Sequence, residues 1–229
     1  MEEHYIVQVQ SQVQGLVDDL KAVFTHAGLA GEAAEYKLLT QSFLYKFLND
    51  KFLYEALNID ESYDYQGLLN LSEEDYDWFL DDIGTKTAHL KPEQLIESLH
   101  RQQNQADFAE IFEQTLNQIA IDNNAIFSVH TDGGTDIRLF DQRLITDTIS
   151  DTSKRNEVAA SIINLLARVK FDQQIFSQGF DFFSTLFEYM IKDYNKDGGG
   201  KYAEYYTPHS VAKIIAAILV GNDQPSNVK

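Results

Sequence analysis

Leu38-Leu39-Thr40-Gln41-Ser42-Phe43-Leu44-Tyr45-Lys46-Phe47-Leu48-Asn49-Asp50-Lys51-Phe52 is the stretch on which the fold turns. Leu38, Leu39, Phe43, Leu44, Phe47, Leu48 and Phe52 recur at helical spacing and cover much of the circumference. A helix of that composition is buried on more than one side. The spacing therefore predicts a helix over 32–57 with protein packed around it.

The neighbouring stretches repeat the helical period. Ile6, Val9, Val13, Leu16, Val17 and Leu20 line one side of a helix over 4–25, and Gly28 and Gly31 break it. Shorter helices are expected over 92–101, with Pro92 near its start, and over 105–120. Val158, Ile162, Leu165 and Val169 mark another over 154–169. Phe180, Phe183, Phe187, Met190 and Tyr194 mark an aromatic helix over 179–194, a pattern that belongs to a core. Asp197-Gly198-Gly199-Gly200 ends it as a hinge.

Two segments depart from this pattern. Between Asp60 and Asp82 stand nine acidic residues and no basic one, interleaved with Tyr63, Tyr65, Tyr76, Trp78 and Phe79. Residues 58–85 read as an acidic surface insert pinned by its aromatics, or as a face that docks a partner or avoids DNA. From Ala125 to Phe140, two β-prone runs flank Gly133-Gly134, the signal of a small β-hairpin over 125–140. The fold expected is mainly α: an N-terminal helical bundle domain over 1–195 with that one hairpin.

Composition narrows the function. The chain has 229 residues, is 44% hydrophobic and contains no cysteine. Disulfides and thiolate metal sites are excluded, and a reducing compartment fits. No signal peptide opens the chain and no apolar run is long enough to span a membrane, so a cytoplasmic location and no membrane partner are expected. With 18 basic residues against 36 acidic ones, the net charge is −18. Such a chain repels phosphate, and if the whole protein works on DNA another part must supply the positive charge.

The stretch with most chemistry in it is Glu204-Tyr205-Tyr206-Thr207-Pro208, followed by His209. Beyond it Val211, Ile214, Ile215, Ile218 and Leu219 form the stripe of a half-buried helix. Thr207 suits the N-cap and Pro208 the first helical position. Free N–H groups and a positive dipole end then stand beside three hydroxyls, a setting for a small anion such as a carboxylate. Asp193, Asn195, Asp197, Gly198 and Glu204 also match the EF-hand calcium-loop spacing. Gly200 stands where a paired loop wants an apolar residue, and Asp60-Ser62-Asp64 continues with Tyr65 rather than a glycine, so no second loop is available. No metal site is expected. The six histidines lack ligand spacing, and no nucleophile elbow, P-loop or dinucleotide fingerprint occurs, so no catalytic residue is assigned.

Two segments together carry a family resemblance. Ala33-Ala34-Glu35-Tyr36-Lys37 running into Phe43-Leu44-Tyr45-Lys46-Phe47-Leu48-Asn49-Asp50 resembles the N-terminal helical region of modification (methyltransferase) subunits of type I restriction-modification systems. An aromatic helix, a Gly-rich break and Glu204-Tyr205-Tyr206-Thr207-Pro208 resemble the Gly-Glu-Phe-Tyr-Thr-Pro lead-in of their methyltransferase domain. The resemblance covers 30–57 and 170–222 and is poor between them.

It implies an adenine-N6 DNA methyltransferase that uses S-adenosylmethionine, with a specificity subunit, a restriction subunit and, through the full complex, DNA as partners. It implies that Glu204, Tyr205, Tyr206, Thr207, Pro208 and His209 lie over the cofactor pocket, and that 196–229 is a hinge and the first helix of a truncated α/β methyltransferase domain. The family's Gly-rich cofactor loop and its Asn/Asp-Pro-Pro-Tyr/Phe motif are not in the 229 residues, so a fragment that is itself catalytically silent is expected. The competing expectation is a non-enzymatic helical interaction module with a lone EF-hand-like calcium loop.

Overall fold

The structure is a computed structural model, and it describes residues 2–127, 139–171, 173–177, 189, 207 and 209–220. The chain divides into two compact units, Met1–Phe182 and Phe183–Lys229.

In the first unit, helix α1 (Glu2–His26) turns into helix α2 (Ala33–Ile59). Val9, Val13, Leu16, Val17, Leu20 and Phe24 give α1 one buried stripe. Gly28 and Gly31 close it with φ of +86° and +72°, a left-handed backbone that other residues adopt only at a cost. The expected burial of α2 is borne out: from Leu38 to Ala56 no residue is exposed. It packs against α1 and against elements from three later parts of the chain.

The acidic stretch is helical. Asp64 caps α3 (Tyr65–Leu69) by accepting from Gly67 N, and Ser72 caps α4 (Glu73–Ile83) by accepting from Asp75 N. Gly84, at φ +58°, ends α4. The expected aromatic pinning is present. Phe79 is buried edge-on to Phe52 at 5.8 Å and to Tyr63 at 5.1 Å. Tyr65 Oη shares a hydrogen bond with Ser98 Oγ at 2.9 Å.

A 3-10 turn (Pro92–Gln94) leads into α5 (Ile96–Gln102), then α6 (Phe108–Asp122) and the single turn α7 (Asn124–Phe127). Helix α8 (Thr152–Arg168) starts under Asp151, which accepts from Ser153 N and Lys154 N. It packs Val158, Ala159, Ile162, Ile163 and Leu166 against α1, α5, α6 and α2. Two many-sided helices, α2 and α8, thus make the core. The short α9 (Gln173–Ser177) lies on α2.

The hairpin expectation is corrected at its two ends, while 128–138 lie outside the described residues. Ala125-Ile126-Phe127, read as the start of a strand, are helical, and no strand occurs among the described residues. The cause is Asn123. Its side chain accepts from His89 N at 2.6 Å and donates to His89 O at 2.8 Å, while its carbonyl accepts from Ile126 N and Phe127 N at 3.0 and 3.1 Å. Local helical hydrogen bonds outweigh the β-propensity of the side chains. At the other end Phe140 is a buried bend, and Asp141 is tied to α2 by Gln41 and, at 2.8 Å, by Lys37. The Gly-Gly pair lies outside the described residues, as do the aromatic helix expected over 179–194 (Tyr189 apart) and the Gly-rich hinge.

In the second unit, α10 (His209–Val220) is the helix expected after the Tyr-Thr-Pro box. Its expected half-burial is not found. Val211, Ile214, Ile215 and Ile218 are all exposed, Ile218 by 74%. Periodicity encodes a face that wants covering, but the surface that covers it is not a property of the helix's own sequence. No described helix is long and apolar enough to cross a membrane.

Candidate functional site

The segment with the greatest chemical potential ends at α10. Thr207 is irregular and exposed, and His209 opens the helix. Its first backbone N–H groups have no partner within the helix, and the peptide dipoles sum to a partial positive charge there. A carboxylate fits that end chemically. Glu204, Tyr205, Tyr206 and Pro208 lie outside the described residues, as does the whole calcium-like spacing from Asp193 to Glu204. Among the described residues no group of three or more His, Asp or Glu is placed to hold a metal ion.

The other segment singled out by the sequence forms a closed polar network. Asp50 takes the Lys46 ammonium on both oxygens, at 3.0 and 2.9 Å. Asp50 also accepts from Asn49 Nδ2 at 2.8 Å and from Phe171 N at 3.0 Å. Asn49 Oδ1 in turn accepts from Ile96 N at 2.9 Å, one of the free N–H groups at the start of α5. The Lys46 ammonium also lies 5.5 Å from the Phe171 ring centre. Burial lowers the pKa of Lys46, and the Asp50 charge opposes that shift. Lys46, Asn49 and Asp50 are all buried. Every partner is spoken for, so the network has nothing left to offer a substrate. Its effect is mechanical: it ties α2 to the start of α5 and to Phe171, just beyond α8.

Glu35 and Lys37 also act on the chain itself. Glu35 is buried and accepts from Gly31 N at 2.8 Å, which holds the turn between α1 and α2. Lys37 reaches Asp141. A third anchor was not visible in the sequence. Glu113 on α6 is buried and accepts from Ile145 N, from Thr146 N at 2.7 Å and from the Thr146 hydroxyl. Arg155 on α8 donates to the carbonyls of Ile149 and Thr146. A glutamate in a helix interior gives no local sign that distant backbone will fold onto it.

No curated protein and no solved structure matches the chain. Residues 178–228 match the model of the N-6 DNA Methylase family, and that segment contains the Tyr-Thr-Pro box and the whole of α10.

Proposed function

We propose that the chain is the N-terminal part of an adenine-N6 DNA methyltransferase, the modification subunit of a type I restriction-modification system. The family match over 178–228 carries this reading. The resemblance of Glu35-Tyr36-Lys37 and of Lys46 to Asp50 to the N-terminal region of those subunits supports the finer assignment. In this reading residues 1–195 are the helical domain that assembles with a specificity subunit, a restriction subunit and DNA, and 196–229 begin the catalytic domain.

The residues present suit S-adenosylmethionine in kind. Glu204, Thr207 and the start of α10 would hold its charged methionine end, and Tyr205, Tyr206, Pro208 and His209 would flank it. When bound, the cofactor supplies the methyl group. No residue of this chain is assigned to the adenine amine.

The test is methyl transfer from labelled S-adenosylmethionine to plasmid DNA by the longer protein of which these 229 residues are the N-terminal part in this reading, isolated with the chains that accompany it in its own cells, while the 229-residue chain alone should transfer nothing. Label on adenine N6 supports the reading. Label on cytosine, or none, overturns it. Glu204→Ala and Thr207→Ala should each weaken cofactor binding by roughly 1–3 kcal/mol, the range of a lost charge-assisted hydrogen bond. The calcium-module reading predicts something else: a thermal shift at micromolar calcium that Asp193→Ala abolishes.

A further inference from the structure

The outer face of α4 gathers five carboxylates around one exposed tryptophan. Glu73, Asp77 and Asp81 stand four residues apart on one row, and Glu74, Trp78 and Asp82 on the next. All six are exposed, Trp78 by 68%. The opposite side of the same helix buries Phe79 and Ile83. Elsewhere in the first unit several acids at the surface have a cation beside them: Glu97 has Arg101 at 2.8 Å, Asp147 has Arg143 at 2.9 Å and Asp141 has Lys37 at 2.8 Å. The α4 carboxylates have no such partner, and no Lys or Arg lies between Asp60 and Asp82. Like charges four apart on a helix repel, so the free face carries a cost that an incoming cation removes.

We infer that this face docks an arginine- or lysine-rich segment of a partner protein, with Trp78 as its anchor. Two independent features select that occupant. The uncompensated carboxylates attract cations and repel nucleic acid and anionic membrane alike. The exposed indole offers the best aromatic face for a guanidinium and is the residue type most enriched where protein interfaces gain their energy. A bare divalent ion is a poor alternative, since the carboxylates do not converge on a metal-binding group. The inference does not depend on the methylase reading.

Trp78 is the one tryptophan of the chain, so its fluorescence reports on this face alone. The intact chain is titrated with a peptide of alternating arginine and leucine, an uncharged peptide of equal length, and a short DNA duplex. The expected result is a saturable shift of the emission with the basic peptide only, weakening as salt rises. Asp77→Asn with Asp81→Asn should weaken binding roughly tenfold, whereas Glu110→Gln with Glu157→Gln, exposed acids on other helices, should leave it within about twofold. Trp78→Ala, followed by the anisotropy of labelled peptide, should weaken it by a similar factor. Circular dichroism confirms that each variant folds. No shift with the basic peptide, equal weakening by the two double variants, unchanged binding by Trp78→Ala, or a shift with DNA overturns the inference.

Discussion

Asp50 shows at the residue scale why the Lys46-to-Asp50 motif tolerates so little. Asp50→Ala leaves the Lys46 ammonium buried without its counter-charge and the Phe171 amide without an acceptor. Breaking one half of a buried pair costs about 3–5 kcal/mol, and urea denaturation should show a loss of that size. Lys46→Met combined with Asp50→Leu removes both charges and should cost clearly less than Asp50→Ala.

The neighbouring Tyr45 governs the alkaline limit. Its hydroxyl donates to the Gln94 carbonyl at 2.6 Å inside the core. Burial, aided by the Asp50 charge, raises its pKa well above 10.0. Burial raises Tyr76 as well, with the Glu93 charge adding to it. A phenol whose folded pKa is raised contributes stability that is complete below the unfolded value and is lost as pH climbs through the folded one. Lys46, shifted down, has the opposite sign: its contribution grows as pH approaches 10.5. Two phenols outweigh one ammonium, so the urea midpoint should fall above pH 10.0. Tyr45→Phe should make that fall shallower while costing about 1–3 kcal/mol at neutral pH for the carbonyl it leaves bare.

At the scale of elements, the two ends of the chain respond differently to substitution. Gly67 sits in the first turn of α3 where an added Cβ would run into the Ser62 carbonyl. The backbone cannot yield as a side-chain tip would, so Gly67→Ala should open α3 and the loop before it. Hydrogen exchange at Gly67 and Leu68, whose amides bond to Asp64, should accelerate while α8 keeps its protection. Helix α10 is the reverse case. Its Ile214 and Ile218 are exposed, so Ile214→Lys with Ile218→Lys should leave the melting temperature unchanged. The same variant should bind a hydrophobic dye several-fold less, because it breaks up the apolar patch.

Charge dominates the whole molecule. At −18 the chain repels phosphate at every orientation that exposes its acidic surface. Anisotropy with labelled duplex should detect negligible binding at physiological salt. Submicromolar binding with a steep salt slope would mean that the 18 basic residues cluster where the charge sum conceals them.

What the sequence determined by itself is set by periodicity, which is local. The many-sided burial of Leu38 to Ala56, the stripe of α1, the caps and breaks at Gly28, Gly31 and Pro92, and the helix after Pro208 all follow from residues within one or two turns of each other. The Tyr-Thr-Pro box was legible for the same reason, as a short motif at a helix start. Tertiary structure alone decided the rest, because long-range partners leave no local trace. Asn123, bonded to the backbone at 89, stands at the head of the single helical turn that Ala125-Ile126-Phe127 form in place of the start of a strand. Glu113 gathered the chain at 145–146 onto α6. The Lys46-to-Asp50 motif became a strap because Ile96 and Phe171 arrive beside it from 47 and 121 residues away. Only the packed α4 shows that Phe79 turns inward while Trp78, its neighbour in the chain, stays in water: one helix face is bought by the core, and the other stays open.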